Sequence, residues 1–196
     1  MSRSRGFTLI EVLIALSLTG LLVMVLFSGF QVGIRSWQSV ERHTARVEEG
    51  RQLSSLLSRQ LAQVQPFILG GEQRSESAFL GEAKRLRYVA PLSISSGNLP
   101  YLFELVSEWQ GQPGVWARFA PFREGQDAET ILADAPFLQI SQGLRLTFGF
   151  FNRETTEQWV PEYEYAELPQ LVSVQMVGDD QAWPLLILPV TQVGPQ

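Results

Sequence analysis

Between Arg5 and Arg35 the chain carries a single charged side chain, Glu11, set in an otherwise apolar and small-residue run. Residues 7–34, about 28 in number, would rise about 42 Å as a helix, more than the roughly 30 Å hydrocarbon layer of a bilayer. The run therefore predicts a membrane-spanning helix with one acid near its start. An ionised carboxylate at that depth costs several kcal/mol unless it has a partner or lies near the interface, so Glu11 is the residue to explain. An ordinary secretory signal is the plain alternative. It would have an apolar core of about 7 to 15 residues, a small-residue cleavage site and no acid in its apolar start, and none of these fits.

The residues around the acid form an ordered motif: Arg5-Gly6-Phe7-Thr8-Leu9-Ile10-Glu11-Val12-Leu13. It resembles the class III leader and cleavage site of type IV pilins and type II secretion pseudopilins. That resemblance implies a prepilin peptidase cutting between Gly6 and Phe7, N-methylation of the new Phe7 amine, and an assembly role for Glu11 in pairing with the amine of a neighbouring subunit. The chemistry is consistent, because an ammonium and a carboxylate one helical turn apart compensate each other where neither is stable alone. It also implies a cytoplasmic leader and an exported remainder. Arg35, Arg42, Arg46 and Arg51 follow the run and by the positive-inside count favour the opposite orientation, a conflict resolved here in favour of the motif.

The helical pattern continues beyond the apolar run. No proline occurs between Arg35 and Val64, and Trp37, Val40, Thr44, Val47, Leu53, Leu57, Leu61 and Val64 recur mostly at three- and four-residue steps. Arg42, Arg46, Glu49, Gln52, Arg59 and Gln63 occupy the other side. Pro66 and Gly70-Gly71 close the pattern, so a single helix is expected from Phe7 to Val64, about 87 Å long. Its second half needs an apolar partner. A coiled-coil neighbour is one use of the stripe, but Gly50 interrupts it and the run is short, which favours packing on the chain's own domain. In the first half, Gly29 and Gly33 form a small-residue pair suited to close helix contact, and Gly20 lowers local helix stability.

After Gly71 the pattern becomes that of strands: short apolar or alternating runs at residues 78–80, 86–90, 102–106, 115–119, 144–150, 171–177 and 185–188. Loops rich in Gly, Pro, Ser and acids separate them, notably 91–100 and 121–134. A helix followed by strands predicts an α+β fold, pilin-like, with an antiparallel β-sheet domain packed on the long N-terminal helix. The expected division is a leader at 1–6, a transmembrane helix at 7–34, its amphipathic continuation at 35–65 and a globular β-rich domain at 66–196.

The soluble part carries a narrower resemblance. Trp37, the helix end Leu61-Ala62-Gln63-Val64-Gln65-Pro66, Gln142-Gly143-Leu144-Arg145-Leu146-Thr147-Phe148 with Phe150-Phe151-Asn152 and Trp159, and Leu168-Pro169-Gln170-Leu171-Val172-Ser173-Val174 resemble the J branch of the minor pseudopilins of type II secretion. The resemblance implies a subunit at the tip of the pseudopilus, initiating its assembly with I-type and K-type minor pseudopilins and the major pseudopilin for export of folded proteins across the outer membrane. It places the chain as a single-pass protein of the inner membrane with its domain in the periplasm. A minor pilin priming a type IV pilus shares the same first helix, and a signal-anchored periplasmic binding domain is the more distant alternative.

Composition bears on other functions. Without Arg3 and Arg5 the chain has 13 basic against 20 acidic residues, a net charge of −7, which argues against nucleic acid as a partner. There is no cysteine, so no disulfide or thiolate metal site. His43 is the lone histidine and Lys84 the lone lysine, and no serine sits in a Gly-x-Ser-x-Gly turn, so the sequence reads as a structural protein rather than an enzyme, with no cofactor. Seven acids fall between residues 154 and 180 without a Lys or Arg: Glu154, Glu157, Glu162, Glu164, Glu167, Asp179 and Asp180. Their spacing is not that of an EF-hand loop, and a solvated face is the expectation. Trp109, Trp116, Trp159 and Trp183 fit either interface anchors or strand packing.

Overall fold

The computed structural model describes residues 9–70, 76–92, 99–178 and 182–190, with residues 29 and 31–46 described by their backbone alone. Helix α1 runs over Leu9–Leu61. The chain divides into two compact units, Met1–Val47 and Glu48–Gln196.

In the first unit, Leu9–Ser28 is the one stretch among the described residues long and apolar enough to cross a membrane, with a mean hydropathy of 2.6 and none of it buried. Its hydroxyl side chains are satisfied within the helix. The hydroxyls of Ser17, Thr19 and Ser28 donate to the carbonyls of Leu13, Ala15 and Met24, one turn back, at 2.7–2.8 Å. That is the arrangement a helix needs where no water competes for its polar groups.

The second unit begins inside α1. Leu53, Leu57 and Leu61, followed by Val64, are buried in the main core, as their spacing predicts. The helix ends at Leu61, three residues before the expected Val64. Gln65 already bonds the sheet, donating to the Val89 carbonyl at 2.9 Å, because the residue before Pro66 is pushed toward extended backbone. Val64 remains fully buried on leaving the helix.

Three antiparallel sheets follow. Strands β1 (Ile68–Leu69) and β2 (Glu76–Ser77) form a small pair. Strands β3 (Leu80–Glu82), β4 (Arg85–Pro91), β5 (Pro100–Trp109), β6 (Gln112–Pro121) and β7 (Leu138–Ser141) form a five-stranded sheet in sequential order. Strands β8 (Leu144–Phe151), β9 (Leu171–Gly178) and β10 (Leu186–Pro189) form a third, ordered β10-β9-β8. A single sheet was expected on the helix; there are two substantial ones, joined through buried Ser107, whose hydroxyl donates to the Leu146 carbonyl at 2.5 Å and accepts the Leu146 N–H at 2.7 Å. The helix α2 (Ala128–Leu132) and strand β7 lie where the sequence reading had a loop and nothing beyond it.

The β5–β6 hairpin turns through Gln110-Gly111, both in the left-handed region (φ 51° and 75°), the two-residue turn whose twist matches that of the strands. The five-stranded sheet is covered on both faces. Leu86, Tyr88, Ala90, Phe103, Leu105, Val115 and Ala117 join α1 and the third sheet in the main core. On the opposite face Val89, Leu102 and Ala120 pack with Ala128, Ile131 and Leu132 of α2 in a second, smaller core.

Candidate functional site

The motif residues divide at the edge of the described chain. Gly6 and Phe7, the expected cleavage and methylation positions, lie outside the described residues. Glu11 lies in the first turn of α1, its side chain exposed among Leu9, Ile10 and Val12, which are exposed as well. A carboxylate there is favoured by the helix dipole, which places partial positive charge on the first turn. Below it, Val12, Ala15, Leu16, Thr19, Gly20 and Val23 line a shallow apolar groove of about 520 Å³. Gly20 has nothing within 4 Å of where a Cβ would stand. Small residues in such a groove let another helix approach closely. Gly29 and Gly33 lie within α1, and what surrounds them is outside the description.

Gly50 has a different role from the interruption expected of it. A Cβ at this position would come within 2.5 Å of the Trp183 indole, so the glycine is the seat of that ring. Trp183 is fixed by its backbone: its N–H donates to the Met176 carbonyl at 3.0 Å and its carbonyl accepts Gln175 Nε2 at 2.7 Å. The stretch before β10 is thereby pinned to the first turns of α1 that belong to the globular unit.

The remaining candidates separate by exposure. Trp109 packs on Phe137 with ring centroids 4.0 Å apart, and Trp159 on Phe151 at 5.6 Å, both still well exposed, while Trp116 and Trp183 are half-buried. Exposed Leu138 and Ile140 lie on edge strand β7; exposed Ile187 lies on edge strand β10, with exposed Leu185 just before it. Of the acids, Glu154, Glu157, Glu162, Glu164 and Glu167 are exposed, and Asp179 and Asp180 lie outside the described residues. Among the described residues no three His, Cys, Asp or Glu side chains converge as metal ligands. Lys84 is exposed in the β3–β4 turn; the His43 side chain lies outside the description.

One cluster escaped the sequence reading. Glu104, 1 % exposed, lies in the five-stranded sheet with Arg85 and Arg118 on its two oxygens. In sequence Glu104 was only one position of the short strand run 102–106, with no role assigned to it. The signal that could have found it is three arginines on the neighbouring strands in register with one acid.

Residues 1–27 match the prokaryotic N-terminal methylation motif family. The type II secretion system protein J of Xanthomonas campestris pv. campestris is 27 % identical over 98 % of this chain and 95 % of that protein. The chain is similar over nearly its whole length to a type II secretion system protein J. The resemblance drawn from the motif and the soluble half is the one this comparison bears out. Among solved structures, a chain of the GspK–GspI–GspJ complex from the enterotoxigenic Escherichia coli type 2 secretion system superposes with a TM-score of 0.54, over 76 % of this chain and 99 % of that one. At 17 % identity this likeness is one of fold, and it agrees with the α+β arrangement of a long helix and antiparallel sheets.

Proposed function

We propose that the protein is a minor pseudopilin of a type II secretion system, acting at the pseudopilus tip to initiate assembly for export of folded proteins. The observation that carries this is similarity to protein J over 98 % of the chain, motif and soluble domain together. In this reading a prepilin peptidase removes residues 1–6 by cutting after Gly6 and the Phe7 amine is methylated. The apolar half of α1 sits in the inner membrane, and the β-rich domain lies in the periplasm. Glu11, exposed in the first turn, receives the N-terminal amine of a neighbouring subunit, the partner that makes a carboxylate at membrane depth tolerable. I-type and K-type minor pseudopilins are the neighbours, as in the complex that shares the fold, together with the major pseudopilin. The role is structural: the site holds subunits together and performs no bond chemistry.

The experiment replaces Glu11 by Ala in secreting cells and follows three readouts: intact mass, cross-links to I-type and K-type subunits, and secretion. The expected result is a correctly processed, N-methylated Phe7 and a folded domain, with cross-links and secretion lost. Normal cross-linking and secretion by Glu11→Ala would overturn the assembly role. Cross-links to pilus subunits in place of pseudopilins would move the protein to the pilus machinery.

A further inference from the structure

Alternation places four charged residues on the α2 side of the five-stranded sheet: Arg85 and Arg87 of β4, Glu104 of β5 and Arg118 of β6. Strand pairing sets Arg87 opposite Glu104 and Glu104 opposite Arg118, a single cross-strand row. Glu104 is saturated by two of the three cations. Arg85 Nε donates to Oε1 at 2.6 Å and Arg118 Nε to Oε2 at 2.5 Å. Arg118 also donates to the Leu132 carbonyl at 3.3 Å and lies over the Phe137 ring at 4.7 Å.

Arg87 is left poorly compensated. Its side chain is 8 % exposed, yet its contacts are long ones from a single terminal nitrogen, 3.3 Å to Glu76 Oε1 and 3.4 Å to the Ser77 carbonyl. Its buried Nε–H meets no acceptor among the described residues. Desolvation holds its pKa below the ordinary guanidinium value, the mark of a cation short of partners. A buried guanidinium is stable only with an anion in good geometry, and a planar fork of donors is best matched by a bidentate oxyanion.

Glu76, the acid in place, is a weak substitute. It comes from the two-residue strand β2, and its side chain is 57 % exposed. Beside it opens a polar cleft of about 680 Å³, floored by Arg85, Arg87 and Arg118 and edged by Glu76, Asp127 and Glu129. The volume is that of a small-ligand site. The edging acids decide the ligand's charge: Asp127 is committed to the Thr130 N–H at 2.7 Å, but it and Glu129 repel a second negative charge, which disfavours a phosphate dianion.

We propose that this cleft binds a single carboxylate group on Arg87, displacing Glu76. The carboxylate belongs either to a free small acid or to an acidic side chain presented by a peptide. Titration calorimetry on the full chain in neutral detergent micelles tests this with two probes, sodium acetate and an end-capped tripeptide with a central glutamate, each against sodium chloride at equal ionic strength. Saturable binding beyond the chloride control is expected. Glu76→Gln, an exposed substitution, removes the competitor and tightens binding about tenfold, the scale of one charge-assisted hydrogen bond. Arg87→Lys, which loses the fork, weakens it at least as much; if that variant fails to fold, Glu76→Gln decides. Binding of acetate alone identifies a free acid, and tighter binding of the peptide identifies a protein segment. No binding beyond chloride by the wild type and Glu76→Gln, or no tightening in Glu76→Gln, overturns the proposal.

Discussion

Two stretches of α1 differ in both apolar content and fate. Leu21 and Leu22 in the first unit are 63 % and 60 % exposed, whereas Leu53 and Leu57 in the second are 4 % and 0 %. The difference lies in arrangement. Leu9–Ser28 is apolar on every side and none of it is buried, so the described chain supplies no cover for it, and in the proposed function that cover is lipid and the helices of other subunits. After Glu48 the apolar residues shrink to one stripe, which one face of a domain can cover, and the chain supplies that face itself. A helix's partner is thus legible from the angular spread of its apolar residues.

Truncation on the two stretches should separate sharply. Leu57→Ala removes a fully buried side chain among the strands and should destabilise the globular unit by about 3 kcal/mol. Leu21→Ala should change it by less than about 0.5 kcal/mol. Urea unfolding followed by tryptophan fluorescence in detergent measures both, since Trp109, Trp116, Trp159 and Trp183 lie in the second unit and a Trp37→Phe background removes the remaining indole. Equal losses would mean that the two stretches are not independent and would break the comparison.

The junction between them gives a smaller effect of mixed sign. Alanine at Gly50 gains about 1 kcal/mol of helix propensity, but its Cβ would stand 2.5 Å from the Trp183 ring and must displace it, at about 1–3 kcal/mol. A net loss of about 1 kcal/mol is expected. Trp183→Leu opens the space, so Gly50→Ala in that background should stabilise. A double-mutant cycle reads the coupling, and additive effects would show that the ring does not depend on the glycine.

What the sequence made legible follows the same logic. The lone acid in an apolar run, the three-and-four stripe ending in Leu53, Leu57 and Leu61, and the alternation of β8 and β9 each carry a pattern longer than a single turn. β4 and β5 were located, but the partners of their polar positions were not. In Leu102-Phe103-Glu104-Leu105-Val106 alternation puts Glu104 on the face away from the main core that Phe103 and Leu105 join. That face is covered by α2, a five-residue helix too short to show a period, and it buries Glu104 and Arg87. The arginine-lined cleft was invisible because it depends on the exact register of β4, β5 and β6 and on the short helix α2 beside them. Trp183 on Gly50 was hidden because the two lie 133 positions apart.

Helix α2 extends the comparison to a segment that is neither apolar on every side nor part of a long stripe. It buries Ala128, Ile131 and Leu132, and its start is secured by Asp127, whose extended backbone lets the carboxylate accept the Thr130 N–H at 2.7 Å. The bond from the Thr130 backbone holds the Asp127 carboxyl below the ordinary carboxylate range. A depressed folded pKa means that the cap contributes fully above the unfolded value of about 3.9 and fades as pH falls through the lower folded value. The difference in stability between the wild type and Asp127→Ala should therefore be constant from neutral pH down to about pH 5 and shrink below it. Because the carboxylate is solvent-exposed, this is the smallest of the expected effects. A difference that persists unchanged in acid would mean that Asp127 holds α2 through its backbone conformation, and α2 would then owe its place to Ile131 and Leu132, as the second stretch of α1 does to its leucines.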